Sequence, residues 1–181
     1  MVCILLSNGF EEAEAIVPAD LLRRAGVEVA LTALEGELVS GSHQIAIKAD
    51  LTLDQVDPDQ VELVFLPGGM GGVKCLGEDP RVSQLVHQVY EKGGYVAAIC
   101  AAPTLLAAFG LLEGKRAVCY PGMEDEMAGA RMEPSVPFVA DGRLVTGEAA
   151  GSAFPFSLKL VELLRGAETA QQVRTAVHYH G

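Results

Sequence analysis

The sequence predicts an α/β fold, one domain spanning residues 1–181 and built on a doubly wound, mainly parallel sheet. Three observations carry that prediction. Short unbroken apolar runs, Val2 to Leu6, Leu63 to Leu66 and Tyr95 to Ile99, have the pattern of strands buried on both faces. Between them lie stretches with apolar residues at helical spacing. Glycine-rich or sharply turning junctions follow the strands directly, at the edge where such sheets bind ligands. A chain of 181 residues, 50% of them hydrophobic, is large enough to bury a full core.

Taken in order, Val2 to Leu6 reads as a first buried strand, because it lacks a basic leader and runs at once into Ser7-Asn8-Gly9, too soon for a signal peptide. Ala13, Ile16, Val17, Leu21 and Ala25 mark the apolar face of a helix that Gly26 stops, and Pro18 predicts a kink or a broken first turn. Glu28 to Leu34 is a second strand. Gly36 and Gly41 separate Leu38-Val39-Ser40 from a run over residues 44–48, which predicts a small accessory hairpin or edge strands. Leu63 to Leu66 leads into Pro67-Gly68-Gly69-Met70-Gly71-Gly72, read as a loop whose N–H groups approach a ligand closely. That run has neither the dinucleotide fingerprint nor P-loop spacing. Val82, Leu85, Val86 and Val89 give an amphipathic helix closed by Gly93 and Gly94. After Tyr95 to Ile99, an Ala- and Leu-rich run from Thr104 to Leu112 predicts a helix, and Ala117 to Cys119 a short strand. Asp141-Gly142 between alternating runs predicts a hairpin over residues 138–146. Ser152 as cap and Pro155 in the first turn open a last helix with Phe156, Leu160, Leu163 and Leu164 on its buried face, and a tail follows.

The junction at Cys100 carries the chemistry. A strand that meets a helix at a single polar residue is a nucleophile elbow, which holds the side chain above the sheet beside unpaired helix N–H groups. A thiol so placed ionises more readily than a free one. A free cysteine packed as a small hydrophobe fits the same pattern. The formal charge of -11, with 24 acidic against 13 basic residues, argues against nucleic acid and against anionic membrane surfaces. The apolar run from Val96 to Leu112 is broken by Pro103, Thr104 and Gly110, so a membrane span is not expected. Four cysteines without paired spacing imply free thiols in a reducing, cytoplasmic compartment.

Leu66-Pro67-Gly68-Gly69, the run Ala97 to Pro103 around Cys100, and Gly9-Phe10-Glu11-Glu12-Ala13-Glu14 together resemble the ThiJ/PfpI superfamily, most closely its branch of the parkinsonism-associated deglycase and bacterial YajL-type proteins. The resemblance implies a flavodoxin-like fold and a homodimer. It makes Cys100 the nucleophile, Glu14 the carboxyl group on its sulfur, and Gly69 and Ala101 the residues whose amides form an oxyanion site. Glu14 would then be protonated, or share a proton with the thiol, and lower the cysteine pKa; its sequence context alone favours a glutamate on a solvated helix face, which the motif match reverses. Accessory positions are Asp20, which matches a position sometimes assigned to a relay; Tyr120, which stands where many relatives carry histidine; and His43, at a position often arginine. His87, His178 and His180 offer no replacement for the missing histidine, and no metal or cofactor is implied. Ala101 after the cysteine departs from the protease branch, and no His-x-Glu triplet supports a glutamine amidotransferase. Two function classes survive. One is a cofactor-independent glyoxalase III or deglycase acting on methylglyoxal, glyoxal or early glycation adducts. The other is an oxidative-stress sensor and redox-regulated chaperone that works through oxidation of Cys100.

Overall fold

A computed structural model describes residues 1–181. The chain opens with strand β1 (Val2–Leu6), helix α1 (Glu12–Arg24) and strand β2 (Val29–Ala33). A separate antiparallel hairpin follows, β3 (Leu38–Ser40) with β4 (Ala46–Lys48), and then a two-residue edge strand, β5 (Leu51–Thr52). β6 (Leu63–Leu66), α2 (Met70–Glu78), α3 (Pro80–Glu91), β7 (Tyr95–Ile99) and α4 (Pro103–Ala108) make the middle of the chain. β8 (Arg116–Ala117) and β9 (Arg131–Met132) form a small parallel pair. The hairpin of β10 (Phe138–Asp141) and β11 (Leu144–Gly147) then leads to α5 (Ala153–Arg165) and α6 (Ala167–Ala176).

The main sheet has the order β10-β11-β7-β6-β1-β2-β5, parallel throughout except for the β10–β11 hairpin. Its central strands are apolar at every position because each face packs on helices. Val2, Ile4 and Leu6 of β1 join Leu63, Phe65, Ala97 and Ile99 in one cluster of 24 buried residues with α1, α5 and α6. Cys3 and Leu5 alternate to the other face, where Val64, Leu66, Val96 and Ala98 join α2, α3 and α4 in a cluster of 23. Two cores of nearly equal size explain why these strands read as continuous runs and not as alternating ones.

Several elements depart from the expectation. α1 runs continuously through Pro18, so its first turn is not broken. Its buried face is also rotated: Ala13 and Ile16 are exposed, whereas Glu12 and Glu14 are buried. The glycine run is not all loop. α2 begins at Met70 with Gly69 as its N-cap, stabilised through the burial of Val73 and Leu76 in spite of weak glycine propensity. α4 is shorter than its apolar run and ends at Ala108. Of the strand expected over 117–119, only Ala117 is in a strand, paired outside the main sheet. β5 is too short to leave a periodic signature. Ser152 makes no capping hydrogen bond, because it sits in a helical conformation at the end of a 3-10 turn and not in the extended geometry a cap needs. What reads as a tail contains α6, of which only Val173 is buried, and helix packing against α5 holds it.

Phe156 of α5 is fully buried with its ring centroid 5.4 Å from that of Phe65, joining helix and sheet at the centre of one core. Phe156→Ala is expected to destabilise the fold by about 3–5 kcal/mol, read as a fall in the urea midpoint at unchanged m-value.

Candidate active site

The chain rises from β7 into Cys100 and turns there with φ of 65°, a left-handed conformation rare for a residue with a side chain. Two backbone hydrogen bonds impose it. The Cys100 N–H donates to the Gly147 carbonyl at 3.0 Å, and its carbonyl accepts from the Tyr120 N–H at 2.8 Å. Strain of this kind persists where surrounding structure over-determines the backbone, and it is concentrated at functional sites. The thiol is partly exposed, and the backbone N–H groups of Ala101 and Gly69 lie on the side of its sulfur and favour the thiolate.

β6 delivers the second component. Gly68 and Gly69 follow it, and neither position admits a side chain. A Cβ on Gly68 would lie 2.4 Å from Glu14 Oε2 and 2.6 Å from the Cys100 Cβ. Gly69, at φ 90°, passes so close to the Gly9 carbonyl and the Glu11 amide that a Cβ would overlap both. In return the Gly68 carbonyl accepts from the Glu11 N–H at 2.9 Å, which seats the start of α1 on the glycine turn.

α1 delivers the third component. Glu14 has no exposed surface, and its Oε2 accepts from the Gly68 N–H at 2.8 Å. Its Oε1 has no well-formed hydrogen bond of its own, and the polar group the carboxyl meets beyond Gly68 is the Cys100 thiol. Burial raises the Glu14 pKa to about 7, against the opposing pull of Cys100 and the Gly68 amide. Burial, the Glu14 charge and its hydrogen bond push the thiol up to about 12, with the Ala101 and Gly69 amides pulling it down. The expectation of a thiol that ionises more readily than a free one is therefore not met where it faces an ionised Glu14. α4, only six residues long, does not offset that burial. A proton on Glu14 changes the balance, since it removes the repulsion and makes the carboxyl a donor to sulfur. The two groups therefore titrate as a coupled pair, each shifted by the other.

The remaining expected residues divide. Tyr120 joins the site through its backbone N–H, and the residue is 48% exposed. Asp20 is held by Arg24 on the exposed side of α1, with an Nε to Oδ2 distance of 2.8 Å, and no hydrogen bond connects it to Glu14 or Cys100. His43, in the β3–β4 turn, caps the α1 terminus from outside. Its Nδ1 lies 2.9 Å from Glu12 Oε2 and its N–H donates to Glu12 Oε1 at 2.7 Å. Burial would raise Glu12, but these bonds and those from backbone N–H groups hold it down to about 2, and the same pairing raises His43. His87 spans the carbonyl oxygens of Ser83 and Phe109 on the far face of α3. Gly68, Gly147 and Glu12 are site residues that the sequence reading left unassigned. The doubled glycine after β6 was the available signal for the first.

A profile of the DJ-1/PfpI family matches residues 1–163. The chain belongs to that family. Among DJ-1/PfpI relatives, Protein dj-1beta of Drosophila melanogaster is 41% identical over 172 residues, spanning 94% of this chain and 92% of the relative. A protein named deglycase PH1704 from Pyrococcus horikoshii is 32% identical over 165 residues, 91% of this chain and 99% of that one. The crystal structure of Drosophila DJ-1beta superposes with a TM-score of 0.94 at 39% identity, covering 98% of this chain and 96% of that one. The DJ-1/PfpI fold thus accounts for the sheet order and for the placing of the elbow.

The raised Glu14 pKa has a definite stability signature. A carboxyl that binds its proton more tightly in the folded state contributes stability present below its ordinary pKa of 4.5 and lost as pH rises through about 7. Glu14→Gln should therefore gain on wild type by about 3 kcal/mol between pH 4.5 and 7.5, measured by urea unfolding. The same variant keeps a donor without the charge, so its Cys100 alkylation by iodoacetamide should shift to lower pH. Coincident stability and alkylation profiles would show that Glu14 does not bear on the sulfur.

Proposed function

We propose that the chain is a cysteine-dependent, cofactor-independent glyoxalase III or deglycase-like enzyme acting on methylglyoxal, glyoxal or early glycation adducts. The observation that carries this reading is a sulfur placed under two N–H donors and against a buried carboxyl that titrates near neutrality. Relatives bearing the name deglycase share most of the chain's length and support it.

In this reaction the Cys100 proton passes to Glu14 as sulfur attacks the aldehyde carbon. The new C–S bond leaves an oxyanion, which the Gly69 and Ala101 N–H groups stabilise until it takes the proton. Glu14 then removes the hydrogen on that carbon as a proton and returns one to the adjacent carbon, converting the hemithioacetal of methylglyoxal into a lactoyl thioester. Water cleaves the C–S bond, releasing lactate and the thiol, so one water is added and no external oxidant is consumed. With an adduct of a cysteine, arginine or lysine side chain, the hydroxyl proton first passes to the side-chain sulfur or nitrogen as its bond to the former aldehyde carbon breaks, which frees the side chain and regenerates the aldehyde for the same steps to convert into a hydroxy acid. Tyr120 supplies no base equivalent to histidine, which leaves Glu14 to carry every proton and favours a slow enzyme.

A second reading rests on the same carboxyl. An oxidised Cys100 would present sulfinate oxygens to a protonated Glu14, which suits an oxidative-stress sensor with chaperone activity. The four free cysteines suit a cytoplasmic protein under either reading, and we take the functional unit to be a homodimer.

Cys100→Ala should abolish conversion of methylglyoxal to lactate while leaving the unfolding midpoint close to wild type. Cys100→Ser should lose about a hundredfold or more, since Glu14 is a weak base toward a hydroxyl. Lactate formation persisting in Cys100→Ala would exclude the enzymatic reading. The sensor reading requires a mass gain of two oxygens under mild peroxide in wild type, weakened in Glu14→Leu and absent in Cys100→Ala.

A further inference from the structure

The reactive cysteine does not use all of the carboxyl edge of the sheet. A separate cavity of about 570 Å³ opens past the ends of β1 and β2, between them and the junction of α2 with α3. None of Glu14, Gly68, Gly69 and Cys100 lines it. Leu6, Leu34, Val39 and Pro80 give it apolar walls. Ser7 lines it too; this residue is only 5% exposed and its hydroxyl has no hydrogen-bond partner. Buried hydroxyls are nearly always paired, so an orphan beside a cavity marks a place where a ligand atom completes the bonding.

The charges on the lining narrow the class of ligand. Arg81 is its one cation, and the guanidinium is already committed. Asp79 takes Nε and Nη2 at 2.6–3.1 Å, and Asp54 takes Nη1 at 2.7 Å. Glu35 and Glu78 also line the cavity. Glu35 forms no hydrogen bond or ion pair, and Glu78 has only the exposed Lys74 Nζ at 3.9 Å. One unpaired carboxylate and one held only by an exposed lysine at 3.9 Å therefore line the cavity beside its apolar wall, in a chain whose net charge is already -11. Such a lining disfavours anions and attracts cations. We propose that this cavity binds a small organic cation, an alkylammonium or alkylguanidinium. Its chain lies on Leu6, Leu34, Val39 and Pro80, and its N–H groups reach Glu35, Glu78 and the Ser7 hydroxyl. An inorganic cation would leave the apolar walls unused, and a neutral alcohol would leave the carboxylates uncompensated.

The test is an NMR titration of the ¹⁵N-labelled protein with n-butylammonium, n-butanol and butyrate at matched ionic strength. Saturable shifts centred on Leu6, Ser7, Leu34 and Cys75, which also lines the cavity, are expected with n-butylammonium, about fivefold weaker affinity with n-butanol, and none with butyrate. The double variant Glu35→Gln/Glu78→Gln should weaken n-butylammonium binding about fivefold or more while leaving its unfolding midpoint and any methylglyoxal turnover unchanged. Cys100→Ala should bind as wild type does, so that failure of the enzymatic reading leaves this one standing. Shifts that do not saturate by about 50 mM, that centre on Cys100, that are equal for the alcohol, or that survive the double variant unchanged would overturn the proposal.

Discussion

The contact between a fully buried carboxyl group and a thiol organises this molecule. Glu14 and Cys100 are distant in sequence, and nothing local brings them together. The parallel order β7-β6-β1 sets the elbow, the glycine turn and the start of α1 side by side at one edge of the sheet. The remaining gap closes only because residue 68 has no side chain, which lets carboxyl and sulfur approach across its Cα. Burial then makes the meeting consequential. In water a carboxyl near 4.5 and a thiol near 9.0 titrate independently, whereas here burial raises both and each also shifts the other.

A second electrostatic contact supports the first at one remove. Glu12 is held ionised by the β3–β4 turn, with its carboxylate receiving N–H groups from His43 and Ile45 and the hydroxyl of Ser42. Glu12 and Glu14 are two residues apart on one helix and have opposite fates, one driven far below the ordinary carboxylate range and the other above it. Burial decides the second, against the pull of its one N–H and the sulfur, whereas at the first the N–H donors and an imidazole outweigh burial. The turn thereby anchors the terminus of α1 from outside, while the Gly68 carbonyl anchors it from within.

The sheet was legible in the sequence wherever the physics is local or binary. Strands buried on both faces announce themselves as unbroken apolar runs, and the Asp141-Gly142 turn and the four valine and leucine positions of α3 were equally direct. Legibility failed where tertiary contact overrides pattern. On α1 the periodicity of Ala13 and Ile16 pointed to a face that is in fact exposed, because two glutamates with waiting partners take the buried positions. α2 starts among glycines, and α6 buries a single valine, so neither carries a signature of its own. Of the site, the elbow cysteine could be read from its junction alone. The burial of Glu14 and the roles of Gly69 and Ala101 came through likeness to the family, and the reason for a glycine at position 68 is visible only when three elements are assembled.

Residue 100 also holds the fold away from its most relaxed form. Its backbone adopts a conformation that glycine takes freely and that cysteine takes only under constraint. A lineage selected for durability alone would drift toward glycine at this corner, shedding a strained torsion and a half-buried thiol together. With cysteine at that corner, the fold sits somewhat below the stability its own architecture would permit.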